Sequence, residues 1–102
     1  NSVAMVSPAA VAALGNAYAH VNQLDKAITN LQKAADMADK EAKDDANNSL
    51  SPTFRLQAGI LLESQGKKDD ALKTYQDIKK KYVNSGLVQS QEIDKYIERA
   101  SR

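Results

Sequence analysis

The sequence contains no cysteine and no tryptophan, a single histidine and only two prolines. Without cysteine the chain has no disulfide, no thiolate metal site and no thiol nucleophile. His20 has no second histidine with which to form the i, i+4 pair of a zinc-binding helix. The sequence also has no Gly-x-Ser-x-Gly segment to carry a serine nucleophile, and no glycine-rich phosphate loop. We therefore predict no catalytic residue, no cofactor and no metal site, and the chain is not expected to be an enzyme.

Long apolar runs and an excess of one charge are also missing. No window approaches the roughly 18 to 20 apolar residues that span a bilayer, so we predict no membrane contact by this segment. The chain has 14 basic and 13 acidic residues. This balance argues against nucleic acid as a partner, and the basic run at 79–81 is explained by the electrostatics of a helix C-terminus. Because the sequence starts at Asn1, we expect a removed leader or a longer parent chain, in which an N-terminal anchor could precede this segment.

Alanine is abundant, with 16 copies, and apolar residues recur at helical spacing in five segments. The predicted helices cover about 9–20, 24–41 with an extension to about 46, 52–65, 68–82 and 88–100. Ser-Pro pairs at 7–8 and 51–52 are typical of helix starts, and Asn22 and Gly66 are typical of helix ends. In the first helix, the residues expected on the inward face are Val11, Leu14, Ala17 and Tyr18. The acidic residues at 36, 39, 41, 44 and 45 are interleaved with lysines, which predicts a solvated helix face. The chain is therefore predicted to be all-α.

The predicted helices form two matching pairs. When Pro8 is aligned with Pro52, Gly15 falls on Gly59, Asn22 on Gly66 and Leu31 on Tyr75. A small residue at the crossing of two helices permits their close approach, which explains both glycines inside helices. We therefore predict one domain over 1–102, with repeat 1 at 8–41, a loop at 47–51, repeat 2 at 52–85 and a capping helix at 86–102.

The pattern Leu14-Gly15-Asn16-Ala17-Tyr18 followed by Ala27-Ile28, together with its counterpart around Gly59 and Ala71, resembles the tetratricopeptide repeats. The resemblance implies a right-handed α-α superhelix that acts as a protein-binding scaffold. Two features depart from the family pattern: about ten residues are inserted after the first unit, and Val11 and Arg55 stand where the family favours a large aromatic residue. Residues 71–85 also resemble repeats of bacterial cell-envelope proteins, which implies a periplasmic or inner-membrane-anchored protein; the cytoplasm is the alternative.

In this family the first helix of each unit lines a concave groove. The resemblance places in that groove Ala12, Asn16, Ala19, Thr53, Leu56, Gln57, Ile60 and Glu63. For the alanine-rich first unit, packing against a neighbouring helix explains the pattern as well as binding does. Some family members clamp a carboxylate with Lys and Asn, but Ala12 occupies the Lys position, so we predict no such clamp.

The two ends of the domain differ. The last helix carries charged residues and is expected to act as a solvating cap. The N-terminal end carries Val3, Met5, Val6 and Val11, which predicts either preceding repeats or a homo-oligomer through this open end. Two functions follow: a protein or peptide-binding scaffold in a bacterial envelope complex, or a structural and oligomerisation segment of a longer membrane-anchored protein. The sequence does not identify the partner.

Overall fold

The computed structural model describes residues 6–42 and 48–102, and within these ranges it contains six helices and no strand. The helices are α1 (Pro8–His20), α2 (Leu24–Glu41), α3 (Leu50–Ser64), α4 (Lys68–Lys81), α5 (Gly86–Gln89) and α6 (Glu92–Ala100). Each of α1, α2 and α3 packs on the next helix along the chain, and α6 packs on α4. The structure thus confirms an all-α fold of two helical hairpins followed by a closing helical segment.

Both hairpins turn through the same motif, at the two positions that the alignment makes equivalent. Asn22 and Gly66 adopt left-handed backbone conformations, with φ of 62° and 80°. After each of them the chain donates a backbone hydrogen bond back into the preceding helix, from Gln23 to the Tyr18 carbonyl and from Lys67 to that of Leu62. This is the Schellman arrangement, in which a left-handed residue satisfies the last carbonyls of a helix.

The two interior glycines lie where the paired helices cross. A Cβ at Gly15 would come within 3.1 Å of both the Ala27 carbonyl oxygen and Leu31 Cγ, and a Cβ at Gly59 would lie 2.5 Å from Tyr75 Cε1. Leu31 and Tyr75 are themselves equivalent in the alignment, so both hairpins place a large side chain over a glycine. The crossings are close because a glycine leaves room for that side chain.

A single core runs along the two hairpins and into the closing segment. Its buried members are Val11, Ala12, Ile28, Leu31, Ala34, Ala35, Phe54, Ala58, Leu62, Ala71, Tyr75, Ile78, Tyr82, Ile93 and Ala100. The helical spacing of apolar residues also predicts inward positions in α2, α3 and α4, and those that the structure buries include Ala27, Ile28, Leu31, Phe54, Ala58, Ala71, Tyr75 and Ile78.

The predicted inward face of α1 is partly wrong. Val11 is buried and Tyr18 is half-buried, but Leu14 and Ala17 are exposed, Leu14 by 49%. The side that packs carries Pro8, Val11, Ala12 and Gly15 instead. Because α1 is apolar around almost its whole circumference, the spacing of apolar residues does not select one side.

The segment after α4 also differs from the prediction of one helix at 88–100. Val88 belongs to the short α5, and Gln91 has a φ of 65°, which separates α5 from α6. At the other end of repeat 1, α2 stops at Glu41 and Ala42 is extended. The predicted extension through 43–46 and the loop residue 47 lie outside the described residues. So do Val3 and Met5 of the predicted open N-terminal end, of which Val6 is exposed and Val11 is buried. No described helix is both long enough and apolar enough to cross a membrane.

The two Ser-Pro pairs have different roles. Ser7 caps α1 as predicted, since its Oγ accepts a hydrogen bond of 3.1 Å from the Ala10 backbone. Ser51 instead lies inside α3, fully buried, and its Oγ donates to the Ala35 carbonyl at 3.1 Å. The start of α3 is capped by Asn48, whose Oδ1 accepts hydrogen bonds from the backbones of Leu50 and Ser51. The insertion moves the cap upstream, so Ser51 becomes part of the packing between repeats.

Candidate protein-binding face

The sequence-predicted groove residues come from α1 and α3, and most of them reach the surface. Asn16, Thr53 and Ile60 are exposed, and the half-buried members are Ala19, Leu56, Gln57 and Glu63. Ala12 is the exception, with 3% of its surface exposed. The expectation that Ala12 is an exposed groove residue is wrong, because α1 packs on the side that carries Val11, Ala12 and Gly15.

The outer side of α3 presents an apolar residue beside an unsatisfied acceptor. Ile60 is 38% exposed. Gln57 lies one helical turn earlier, and its Oε1 is buried with no hydrogen-bond partner among the described residues. Leu56 is half-buried on the same side of the helix. We call Leu56, Gln57 and Ile60 the α3 face, which combines apolar contact area with a buried, unpartnered carbonyl oxygen.

At the C-terminal end of this helix, Glu63 is already engaged within the protein. Its carboxylate accepts hydrogen bonds from the Tyr75 hydroxyl and from the Arg99 guanidinium, with an Nε to Oε2 distance of 3.0 Å. The guanidinium lies 5.0 Å above the ring of Tyr96, which in turn packs against Tyr75 with 5.4 Å between ring centroids. Arg99 is one of the charged residues of the last helix, which is expected to act as a solvating cap; it is exposed, and it also links α6 to α3.

The pKa directions agree with this geometry. The hydrogen bond from Arg99 lowers the pKa of the Glu63 carboxyl by more than burial raises it, and the hydrogen bond from the Tyr75 hydroxyl lowers this pKa further. Burial raises the pKa of the Tyr75 hydroxyl, and the neighbouring Glu63 carboxylate raises it further. Glu63 is therefore held ionised and Tyr75 neutral. We conclude that this end of the predicted groove holds α6 in place.

A second polar cluster joins α2, α3 and α4 on the other side of α3. The Asp39 carboxylate accepts hydrogen bonds from Arg55 at 2.6 Å and from the Tyr82 hydroxyl at 2.8 Å. Arg55 also donates from Nε to the Tyr82 oxygen at 2.9 Å and forms an ion pair with Asp36 at 2.8 Å. We call Asp36, Asp39, Arg55 and Tyr82 the Arg55 cluster. The sequence analysis missed it, because its members are far apart in sequence.

Asp39 was expected on a solvated helix face, and this is wrong: its side chain is only 15% exposed. Burial by itself would raise the pKa of Asp39. Hydrogen bonding of the Asp39 carboxylate with Ser51, Arg55 and Tyr82, together with the charge of Arg55, outweighs the effect of burial. The pKa of Asp39 is therefore lowered. One available signal was Arg55 itself, because it stands where the resemblance calls for a large aromatic residue.

An open groove of about 770 Å³ lies next to this cluster, between α2 and α4. It is lined by Gln32, Arg55, Ala58, Leu62, Asp70, Lys73, Thr74, Asp77, Lys80, Lys81 and Tyr82. The lining carries four basic residues, one of which is Arg55 of the Arg55 cluster, and two acidic residues.

The described residues offer contacts for binding and little chemistry beyond that. Among them, no group of three or more His, Asp or Glu side chains could hold a metal ion. His20 is exposed at the end of α1.

The fold and its surface define a class of protein: paired helices with a small residue at each crossing and exposed contact positions on the first helix of each pair. Residues 55–85, from within α3 to the residues just after α4, match the family model of the tetratricopeptide repeat, which supports a tetratricopeptide-type second hairpin. The comparisons found no match among curated proteins and none among solved structures. Tetratricopeptide repeats are typically non-catalytic interaction modules, which supports protein partners in general.

Proposed function

We propose that this chain is a non-catalytic protein-interaction scaffold whose α3 face binds a protein or peptide segment. The observation that carries the proposal is the pairing of exposed Ile60 with the buried, unpartnered Oε1 of Gln57. A buried acceptor without a donor costs about 1–3 kcal/mol, so the Gln57 amide would gain free energy by turning outward to accept an N–H from a ligand on this face. The ligand would place an apolar side chain against Ile60, as interface cores usually do.

The ligand of this face is expected to be recognised without a carboxylate clamp. Asn16 is exposed on α1, but Ala12 occupies the position of the clamping lysine and is buried. No cation is therefore available at that position to form a charge-assisted hydrogen bond. Tight binding of an acidic-tail peptide that is lost in Asn16→Ala would contradict this expectation.

We propose the cellular location of the scaffold from the resemblance of residues 71–85 to repeats of bacterial cell-envelope proteins. This resemblance supports a role within an envelope complex, in the periplasm or attached to the inner membrane. A second candidate function, a structural or oligomerisation segment of a longer membrane-anchored protein, is favoured by a different observation, the uncovered apolar side of α1.

The binding proposal is tested by comparing two surface variants in capture experiments from a native bacterial extract. Ile60→Glu places a charge on the α3 face, whereas Val83→Glu places the same charge at a residue that is 44% exposed but lies after α4. We expect a specific partner to be captured by the wild type and Val83→Glu and lost with Ile60→Glu, while all three have the same helical circular dichroism. Equal capture by all three proteins, or no specific capture by the wild type, would refute the proposed face.

A further inference from the structure

The side of α1 that faces away from α2 is largely apolar and is not covered by the described residues, 6–42 and 48–102. Leu14 is 49% exposed, and Val21, the residue directly after the helix, is 64% exposed. Of the 13 residues of α1, only Asn16, Tyr18 and His20 have a polar group in their side chains. No Asp, Glu, Lys or Arg occurs from Ser7 to Leu24. A helix that is apolar all round is normally buried all round, so this side is suited to a contact with another surface.

The exposed apolar residues form one line along the helix. Ala10, Leu14, Ala17 and Val21 follow one another at steps of four, three and four, and all four are exposed. We call these four residues the α1 stripe. Steps of this size repeat every 3.5 residues, the spacing with which one helix packs along another. The stripe lies opposite the side of α1 that packs into the core.

We propose that the α1 stripe binds the α1 stripe of a second copy of this chain, with the two helices antiparallel. The proposal rests on the second candidate function and is independent of the α3 face. In one antiparallel register, with the two-fold axis between Gly15 and Asn16, Ala10 lies opposite Val21 of the partner copy and Leu14 opposite Ala17 of the partner copy. Every layer then pairs a large side chain with a small one.

This large-to-small pairing is what close packing of two helices requires, because each large side chain fills the space that the opposite alanine leaves. The register is also self-complementary, since each pair occurs twice by symmetry, as in the isologous contacts of most homodimers. In the antiparallel arrangement, the large side chains of one α1 stripe therefore lie opposite the small side chains of the other.

The other end of the molecule does not suit the stripe. The last helix, α6, exposes Glu92, Lys95 and Glu98. A head-to-tail contact would cover such charges with an apolar surface, and they would lose hydration without gaining partners. Contact between two stripes buries no charge and brings no like charges together. The distribution of charged residues therefore favours contact of the α1 stripe with the α1 stripe of a second copy over contact with α6.

The length of the stripe limits the strength of the contact. A helix of 13 residues is about 20 Å long. A standard interface covers about 800 Å² on each partner, and one helix pair of this length covers less. We therefore expect a weak, reversible dimer with a dissociation constant in roughly the micromolar range.

The first test measures the dimer by sedimentation across protein concentrations. Leu14→Glu should raise the dissociation constant at least about tenfold, because a carboxylate would have to be buried against Ala17 of the partner copy. Val83→Glu and Ile60→Glu should leave it unchanged, and circular dichroism should show all variants folded. A wild type that stays monomeric at all concentrations, or a dimer unaffected by Leu14→Glu, would overturn the proposal. Loss of dimer in Ile60→Glu would also overturn it, whereas loss of capture alone concerns only the α3 face.

The second test examines the register through introduced thiols, which are the only ones because the chain has no cysteine. Ala10→Cys and Val21→Cys proteins are mixed and treated with a short thiol cross-linker. The antiparallel register brings residue 10 of one copy opposite residue 21 of the other, and separates like residues by about 16 Å along the axis. We expect cross-links between the two different variants and few within either one. Cross-links mainly between like variants, or none at all, would refute the antiparallel pairing.

Discussion

Replacing Gly59 by alanine tests the close helix crossing of repeat 2. The new Cβ would lie 2.5 Å from Cε1 of Tyr75, well inside ordinary contact distance. The ring cannot easily move away, because Tyr75 is fully buried and its hydroxyl donates to Glu63. Either the ring or the α3–α4 spacing must therefore change.

Two effects of opposite sign determine how much Gly59→Ala changes the free energy of unfolding. Overpacking of a buried site costs about 1–3 kcal/mol. Alanine is preferred over glycine in a helix interior by about 1 kcal/mol. The difference is a net loss of about 0–2 kcal/mol in the free energy of unfolding. Because the approach is as close as 2.5 Å and the Tyr75 ring is fully buried, we expect the upper half of this range, about 1–2 kcal/mol. For a domain of this size that loss corresponds to a Tm lowered by about 4–16 °C.

Thermal and urea unfolding followed by circular dichroism would measure this loss. Gly86→Ala is the matched control, since a Cβ there meets nothing within 4 Å, and it should change stability by less than about 0.5 kcal/mol. In the background of Tyr75→Leu, which shortens the opposing side chain, Gly59→Ala should cost at least about 0.5 kcal/mol less. A Gly59→Ala protein as stable as the wild type, or a cost that is the same in both backgrounds, would refute the reasoning.

Four further changes test other parts of the fold. Gly66→Ala should cost about 1 kcal/mol in urea unfolding, since a left-handed φ of 80° disfavours alanine although its Cβ has free space. Tyr82→Phe should cost about 1–3 kcal/mol in the same assay, because Arg55 and Asp39 lose a buried partner. The folded-state pKa of Asp39 is lowered, so its stabilisation is present at neutral pH and is lost as the pH falls through the acidic range; Asp39→Asn should reduce the loss of stability between pH 7 and pH 3. Arg99→Ala should speed hydrogen exchange in α6 but not in α2, because it removes the contact to Glu63. Equal exchange in wild type and variant would contradict that role of Arg99.

The four helices of the two hairpins and the turns within the hairpins were predictable because their causes are local. Asn22 and Gly66 end their helices through the conformations that these residue types adopt easily. Gly15 and Gly59 pointed to close crossings because a glycine inside a helix has a cost that such a crossing explains. The packing side of α1 was not predictable, because an almost uniformly apolar helix such as α1 contains no signal for its direction.

The groove residues were predicted only by aligning the two units with the tetratricopeptide pattern. The tertiary structure changed the predicted set at both ends. Ala12 is buried by the side on which α1 packs, and Glu63 is engaged by Arg99, 36 residues away. Ile60 and Gln57 remain at its centre. The sequence could not show that Oε1 of Gln57 lacks a hydrogen-bond donor, because this depends on the positions of all the groups that surround the atom.

The sequence by itself determined the all-α fold, the repeated hairpin with glycine at its crossing, and the absence of cysteine chemistry. These follow from propensity, periodicity and residue type, which act over a few neighbouring positions. Only the tertiary structure decided that Asp39, Arg55 and Tyr82 meet, that Ser51 is buried between the repeats, and that the α1 stripe is left uncovered. Such outcomes depend on which surfaces of distant helices come into contact, and that is set by the packing of the whole chain.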